Sequence, residues 1–250
     1  MSISDFFKLH KNVAVAFSGG VDSAVLLLFA KQYADCVKAY YVKSPFQPQF
    51  EYEDALKVAD FLKVELRVIK VNVLDDADIV KNPENRCYYC KKKIFGSIIN
   101  AAESDGLKTV LDGTNASDNE NDRPGFRALK ELGVLSPLRD YKYTKKQIRE
   151  IANENSLPVA NKPSYACLAT RIPTHTPVTK QLLEKTEKAE NALFNLGFEN
   201  LRVRYLNGAA KLEIGKNGFR LLNEKRDEVI KLLSPYYSEV YLDLKERTDE

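Results

Sequence analysis

Two sets of residues in this 250-residue chain have the types and spacing for chemistry: a glycine loop, FSGGVDSAVL at 17–26, and three of the four cysteines, Cys87, Cys90 and Cys167. The apolar run NVAVAF before the loop reads as a strand, and VDSAVLLLFAKQYA after it has helical periodicity. A strand that turns through Ser18-Gly19-Gly20 into a helix leaves backbone N–H groups aimed at one spot, where the helix dipole also favours negative charge. A phosphate group suits that spot. Gly19 and Gly20 allow close backbone approach, Ser18 and Ser23 offer hydroxyl donors, and Asp22 either holds Mg2+ or orients the loop. No GK[ST] ending follows, so the loop is not of the kind that serves γ-phosphoryl transfer. A glycine turn with a serine cap is the bland alternative.

RCYYCKKK places Cys87 and Cys90 beside Arg86, Lys91, Lys92 and Lys93. Positive neighbours favour the thiolate, the form that attacks carbon or binds metal. The pair alone fits half a zinc site, a redox couple or part of an iron–sulfur ligand set. Cys167 lies in KPSYACLATRIP, between Lys162 and Arg171. With only two histidines in the chain, three cysteines leave a metal centre one ligand short. That suits structural zinc poorly, whereas a cluster held by three thiolates keeps one iron open to an external ligand. Cys36 begins a predicted strand and is expected to be a buried core thiol.

Two further loops gather polar residues. LDGTNASD at 111–118 follows a predicted strand, and Gly113, Thr114, Asn115 and Asp118 are expected to face a nucleotide, since ligands of open α/β sheets sit at strand carboxyl ends. An Asx-type turn is the plain alternative for each of them. NDRPGFR at 121–127 puts Arg123 and Arg127 on the loop beyond, where guanidinium forks can grip an anionic substrate.

Strands and helices alternate along the first part of the chain. CVKAYYV, ELRVIKVNV and LKTVLDGTN read as strands; EYEDALKVADFLKV, KKKIFGSIINAAESDG and TKKQIREIANENSL read as helices, the last capped by Thr144. The alternation predicts an α/β fold, a parallel sheet wrapped by helices. After a proline-rich stretch, QLLEKTEKAENALFNLGF reads as a helix, LRVRYLNGAAKLEI as a hairpin about Asn207-Gly208, EKRDEVIKLLSPY as a helix and SEVYLDL as a strand. Two domains are expected, 1–172 for the nucleotide and 173–250 as a small α+β unit for substrate binding or oligomerisation.

The remaining features are ordinary. Hydrophobic residues at 44% and charged residues at 29% predict a folded globular protein. The longest apolar run, AVLLLFA at 24–30, is too short to cross a bilayer, and MSISDFFKLH has no signal-peptide pattern, so a cytoplasmic protein with no membrane role is expected. In such a chain the cysteines are expected to be reduced thiols.

SGGxDS resembles the PP-loop of the ATP pyrophosphatases, which release pyrophosphate and leave AMP on the substrate. Taken in order, SGGVDS, RCYYCKKKIF, LDGTNASDNENDRPG, SPLRDYKYTKKQIREIA and KPSYACLATRIP resemble a LarE-type sulfur transferase of nickel-pincer cofactor biosynthesis, over nearly the whole chain and most densely at 12–180. The resemblance implies an adenine-nucleotide α-hydrolase-like fold, and a pyridinium dicarboxylate mononucleotide as substrate. It implies that the carboxylates are adenylated with ATP and Mg2+ and then converted to thiocarboxylates, with Asp22, Arg123 and Cys167 in the reaction. Sulfur comes either from Cys167 itself or from a 4Fe-4S cluster on Cys87, Cys90 and Cys167, and the presence of all three thiols favours the cluster form. Arg171, Arg202 or Arg204, and Arg247 are implied substrate contacts. The family usually ends in a Gly-Tyr-Arg run where this chain has Lys245-Glu246-Arg247, and commonly shows glycine where this chain has His175, read here as an exposed loop residue.

Two other readings compete. A tRNA thiolation enzyme of the PP-loop type needs a basic RNA-binding face, whereas residues 173–250 hold as many acidic as basic side chains. A non-catalytic nucleotide-binding regulator with a zinc or thiol switch predicts ATP binding without pyrophosphate release. The expected partners are therefore a small-molecule mononucleotide and further copies of the chain, with nucleic acid disfavoured.

Overall fold

A computed structural model describes residues 2–118 and 124–248. In chain order the elements are α1 (Ile3–Leu9), β1 (Asn12–Ala16), α2 (Val21–Tyr33), β2 (Cys36–Lys43), α3 (Gln49–Leu62), β3 (Leu66–Lys70), α4 (Ala77–Val80), α5 (Arg86–Ser104), β4 (Thr109–Leu111), α6 (Pro124–Glu131), α7 (Pro137–Asp140), α8 (Lys145–Glu154), α9 (Lys180–Asn195), β5 (Leu201–Leu206), β6 (Ala209–Ile214), α10 (Lys216–Glu224), α11 (Arg226–Leu233) and β7 (Val240–Leu242). They form two compact units, Met1–Val73 with Asn85–Lys162, and Leu74–Glu84 with Pro163–Glu250.

The first unit is α/β. Its sheet has the order β3-β2-β1-β4 with every pair parallel, as the alternating pattern predicts. Val13, Ala14 and Val15 of β1 are fully buried, as a strand covered on both faces must be. On one face Val13, Val15 and Tyr41 pack against α2 and α3 residues such as Ala24, Leu27 and Val58. On the other, Ala14, Tyr40 and Val42 meet Phe95, Ile98 and Ala102, spaced to share one side of α5.

This topology fixes where a ligand can sit. The chain runs outward from β1 through β2 to β3, then returns to place β4 on the opposite side of β1. Strand order reverses there, and the crevice beyond the carboxyl ends of β1 and β4 is the binding place of such sheets. Val15 lies beside Leu111, so the loops after the two strands leave the sheet at the same level.

Two helices differ from the sequence reading at candidate site residues. α5 begins at Arg86, so Cys87 and Cys90 are helical and not in a preceding loop. Arg127 stands on α6, which starts at Pro124, a residue suited to the first helical position because no helix bond needs its missing N–H. Among the described residues no helix is long and apolar enough to cross a membrane.

In the second unit α9 covers the antiparallel β5–β6 hairpin, and β7 joins β6 in parallel. Asn207 and Gly208 have φ of 48° and 94°, the positive angles that a two-residue hairpin turn requires. Leu193, Leu201, Val203, Leu212 and Val229 lie in its core. The short segment 74–84 belongs here because the buried Asn82 amide donates to the carbonyls of Ile172, Pro173 and Thr176 at 3.3, 2.8 and 3.0 Å. The compact units divide between Lys162 and Pro163.

Candidate active site

The Ser18–Ser23 loop holds itself open. The Ser23 hydroxyl donates to the Gly20 carbonyl at 3.0 Å and lies 3.1 Å from the Ser18 hydroxyl, which accepts the Gly20 N–H at 3.3 Å. Gly20, the N-cap of α2, brings no capping side chain, so the first-turn N–H groups have no side-chain acceptor there. Gly19 has φ of 78°, and a Cβ on it would come within 2.8 Å of the Glu51 carbonyl oxygen on α3. Gly113, at the end of β4, meets the same loop from the other side: a Cβ there would lie 2.9 Å from the Ser23 nitrogen. Both glycines are required by close backbone approach.

Around this loop the polar side chains hold one another. Asn115, 3% exposed, donates to Asp22 Oδ1 at 3.1 Å, and the Lys145 ammonium meets Asp22 Oδ2 at 2.5 Å. Asp118 accepts the Asn115 N–H at 3.0 Å, and the Ser117 hydroxyl accepts the Lys145 N–H at the same distance. Buried Asp112 takes the hydroxyls of Thr114 and Ser136, both at 2.5 Å. Asp22, Thr114, Asn115 and Asp118 thus lie together beside the glycine loop. Lys145 and Asp112 join them unforeseen. Arg123 lies outside the described residues.

Cys87 is exposed and Cys90 half-buried, one turn apart on one side of α5. Their cationic neighbours are tied down: Arg86 is buried with its guanidinium 6.0 Å from the Phe46 ring centre, Lys91 lies 5.5 Å from that of Phe126, and Lys92 pairs with Glu131 at 3.2 Å. Arg127 stacks on Tyr88 at 3.9 Å, and the Tyr88 hydroxyl donates to Glu131 at 2.7 Å. Cys36 departs from expectation. It is exposed, because it opens β2 at the amino end of that strand, before the strand enters the core.

Cys167 belongs to the second unit, half-buried at the start of a 3-10 turn, Leu168–Arg171. The loop that carries it is anchored by charge. Arg171, 1% exposed, pairs with the equally buried Glu190 at 2.9 Å and donates to the Ala166 carbonyl at 2.8 Å. Tyr165 donates its hydroxyl to Glu190, and its ring lies 4.4 Å from the Arg171 guanidinium and 4.5 Å from that of Arg202. Burial alone would lower the Arg171 pKa; the Glu190 carboxylate outweighs it and raises it. Burial, with the charges of Arg171 and Arg247 beside it, lowers Arg202 to about 10.

The other expected substrate contacts are partly engaged. Arg204 pairs with Glu213 at 2.6 Å and donates to the Thr170 carbonyl at 2.7 Å. Arg247 donates to the Asn200 side chain at 2.8 Å and lines a 490 Å³ pocket with Gly215 and Lys216. His175 is exposed in a turn with φ of 68°. Among the described residues no group of three or more His, Cys, Asp or Glu side chains is placed to hold a metal ion.

The asparagine synthase family model matches residues 8–113, which contain the glycine loop and β4. The chain is 33% identical over 235 residues to an uncharacterized protein of Methanocaldococcus jannaschii, covering 94% of this chain and 89% of that one. An uncharacterized Synechocystis protein is 32% identical over 85% of this chain and 80% of its own. The pyridinium-3,5-bisthiocarboxylic acid mononucleotide synthase of Lactiplantibacillus plantarum is 30% identical over 94% of this chain and 86% of its own. The chain belongs to the LarE family.

In this LarE-family chain the fold and the PP-loop are therefore those expected: a four-stranded parallel sheet with flanking helices, followed by a small second sheet. Of the charged residues that escaped the sequence reading, Lys145 and Glu190 each leave a trace there. Lys145 and Lys146 open α8, where the helix dipole disfavours cations. Glu190 falls on the buried stripe of α9 with Leu183, Thr186 and Leu193.

Proposed function

We propose that this protein uses ATP to activate the carboxylates of a pyridinium dicarboxylate mononucleotide and replaces an oxygen of each by sulfur. The observation that carries the reading is the uncapped glycine loop at the reversal of strand order, shaped for phosphate by Gly19 and Gly113. Similarity over most of its length to a synthase of a bisthiocarboxylic acid mononucleotide supports the choice of substrate.

The chemistry follows from the weakness of a carboxylate as an electrophile. A carboxylate oxygen attacks the α-phosphorus, the α–β bridging bond breaks and pyrophosphate leaves, so that the acyl carbon now bears AMP, a good leaving group. Ser18, Ser23 and the first-turn N–H groups of α2 hold the phosphates, and Asp22 is placed to orient Mg2+ on them. Arg123 contacts the attacking carboxylate, and Arg204 and Arg247 hold the substrate phosphate. Arg171 serves instead to fix the Cys167 loop through Glu190, its donors being spent inside the protein.

Sulfur then displaces AMP. Cys87, Cys90 and Cys167 are the residues that would hold a 4Fe-4S cluster, thiolates being the ligands that suit it, and such a group would supply a transferable sulfide. The alternative source is the Cys167 thiolate, which attacks the acyl carbon and gives up its sulfur by elimination, leaving dehydroalanine. Assembly into a homo-oligomer through the second unit belongs to the same proposal.

Oxygen-free purification, with assay of iron and sulfide and of polypeptide mass before and after incubation with ATP and substrate, separates the sources. The expected result is bound iron and unchanged polypeptide mass. Loss of hydrogen sulfide from Cys167 assigns sacrifice instead. Neither outcome, with no pyrophosphate released, overturns the reading.

A further inference from the structure

Among the described residues Lys145 is the one ammonium seated on Asp22, and the ways it is held point to a purpose. Its backbone N–H is fixed by the Ser117 hydroxyl at 3.0 Å, and the Ala116 N–H donates to the Tyr143 carbonyl at 2.9 Å, so the start of α8 is stitched to the loop after β4. The Thr144–Gln147 capping box sets the helix end itself. The side chain reaches across 123 residues of sequence to Asp22 in the first turn of α2, and about a quarter of each side chain is exposed to solvent. A lysine in the first turn of its own helix is electrostatically misplaced unless something outside that helix needs the charge.

We propose that Lys145 is a catalytic residue that moves from Asp22 onto the departing pyrophosphate; this rests on the adenylation reading above. When a triphosphate enters the loop, its negative charge competes with the Asp22 carboxylate for the ammonium, and the flexible four-carbon stem lets the ammonium follow. Asn115 keeps Asp22 in place through Oδ1 after Lys145 leaves Oδ2. As the carboxylate oxygen bonds to the α-phosphorus, the electron pair of the breaking α–β bond goes to the pyrophosphate oxygen. An ammonium there gains in strength as that charge grows, which lowers the barrier more than it tightens ATP binding.

The test compares Lys145→Met, Lys145→Arg and, as a surface control, Lys146→Met, by calorimetric binding of ATP, AMP and pyrophosphate, by melting temperature and by rate of pyrophosphate release. Lys145→Met is expected to bind pyrophosphate at least about tenfold more weakly with AMP binding unchanged, and to lose about a hundredfold in kcat with a smaller change in KM for ATP. Lys145→Arg restores pyrophosphate affinity, and Lys146→Met changes nothing. The inference falls if Lys145→Met binds pyrophosphate like the parent, or if AMP and pyrophosphate weaken equally with a lowered melting temperature. A parent that binds pyrophosphate through Lys145 yet releases none from ATP overturns the adenylation reading and leaves the pyrophosphate site standing. A parent that binds neither ATP nor pyrophosphate overturns both.

Discussion

The Glu190 carboxylate accepts from Arg171, from the Tyr165 hydroxyl and from the Val203 N–H at 2.9 Å, all within the second unit. One buried acid thereby faces two buried arginines, with the Tyr165 ring between them. Removing the charge while keeping the shape leaves both guanidiniums without compensation, and breaking such a pair costs about 3–5 kcal/mol. Glu190→Gln is therefore expected to lower the stability of the second unit by that amount, measured by urea unfolding followed through tyrosine absorbance. A loss below about 1 kcal/mol would show that the cluster is held by packing instead. The loop carrying Cys167 hangs on this cluster, so the substitution is also expected to slow sulfur transfer more than pyrophosphate release.

At the scale of elements, Asp105 just past the end of α5 ties that helix to the sheet. It accepts from the Tyr40 hydroxyl at 2.7 Å and pairs with Arg67 at 2.8 Å and Lys38 at 3.2 Å, on β2 and β3. The Tyr40 hydroxyl first, then Arg67, hold its carboxyl well below the usual carboxylate range. A depressed pKa stabilises the fold above the unfolded value, about 4, and that contribution is lost as pH falls from there toward the folded value. Asp105→Asn should lower the urea midpoint at about pH 7 and narrow its difference from the parent at about pH 3. Equal differences at both values would contradict this.

Most elements of the first unit were legible because strand and helix periods alternate cleanly and glycines mark the joints. The misses have physical causes. α6 hid behind Pro124-Gly125, which suggest a loop; Gly125 is there because a Cβ would come 2.8 Å from the Lys91 side chain. α10 hid behind Gly218, whose Cβ would press to 3.0 Å on that of Ile214. Asp22, Asn115 and Gly113 were readable from local motifs, whereas the partners of Lys145 and Glu190 lie far off in sequence and only folding reveals them.

For the whole molecule, the chain divides its chemistry. The phosphate loop, Lys145, Cys87 and Cys90 stand on the first unit; Cys167, Arg204 and Arg247 stand on the second. The proposed reaction draws on both, activation by the first and the third thiol from the second. Its central claim is that ATP is cleaved between the α- and β-phosphates to activate a carboxylate. The direct test incubates the purified protein with ATP, Mg2+ and the pyridinium dicarboxylate mononucleotide, and identifies the nucleotide products alongside the mass of the organic product. The account predicts AMP and pyrophosphate in equal amounts, formed only with the dicarboxylate present, and an oxygen-for-sulfur exchange in that substrate. ADP and phosphate, or no substrate-dependent cleavage at all, would contradict it.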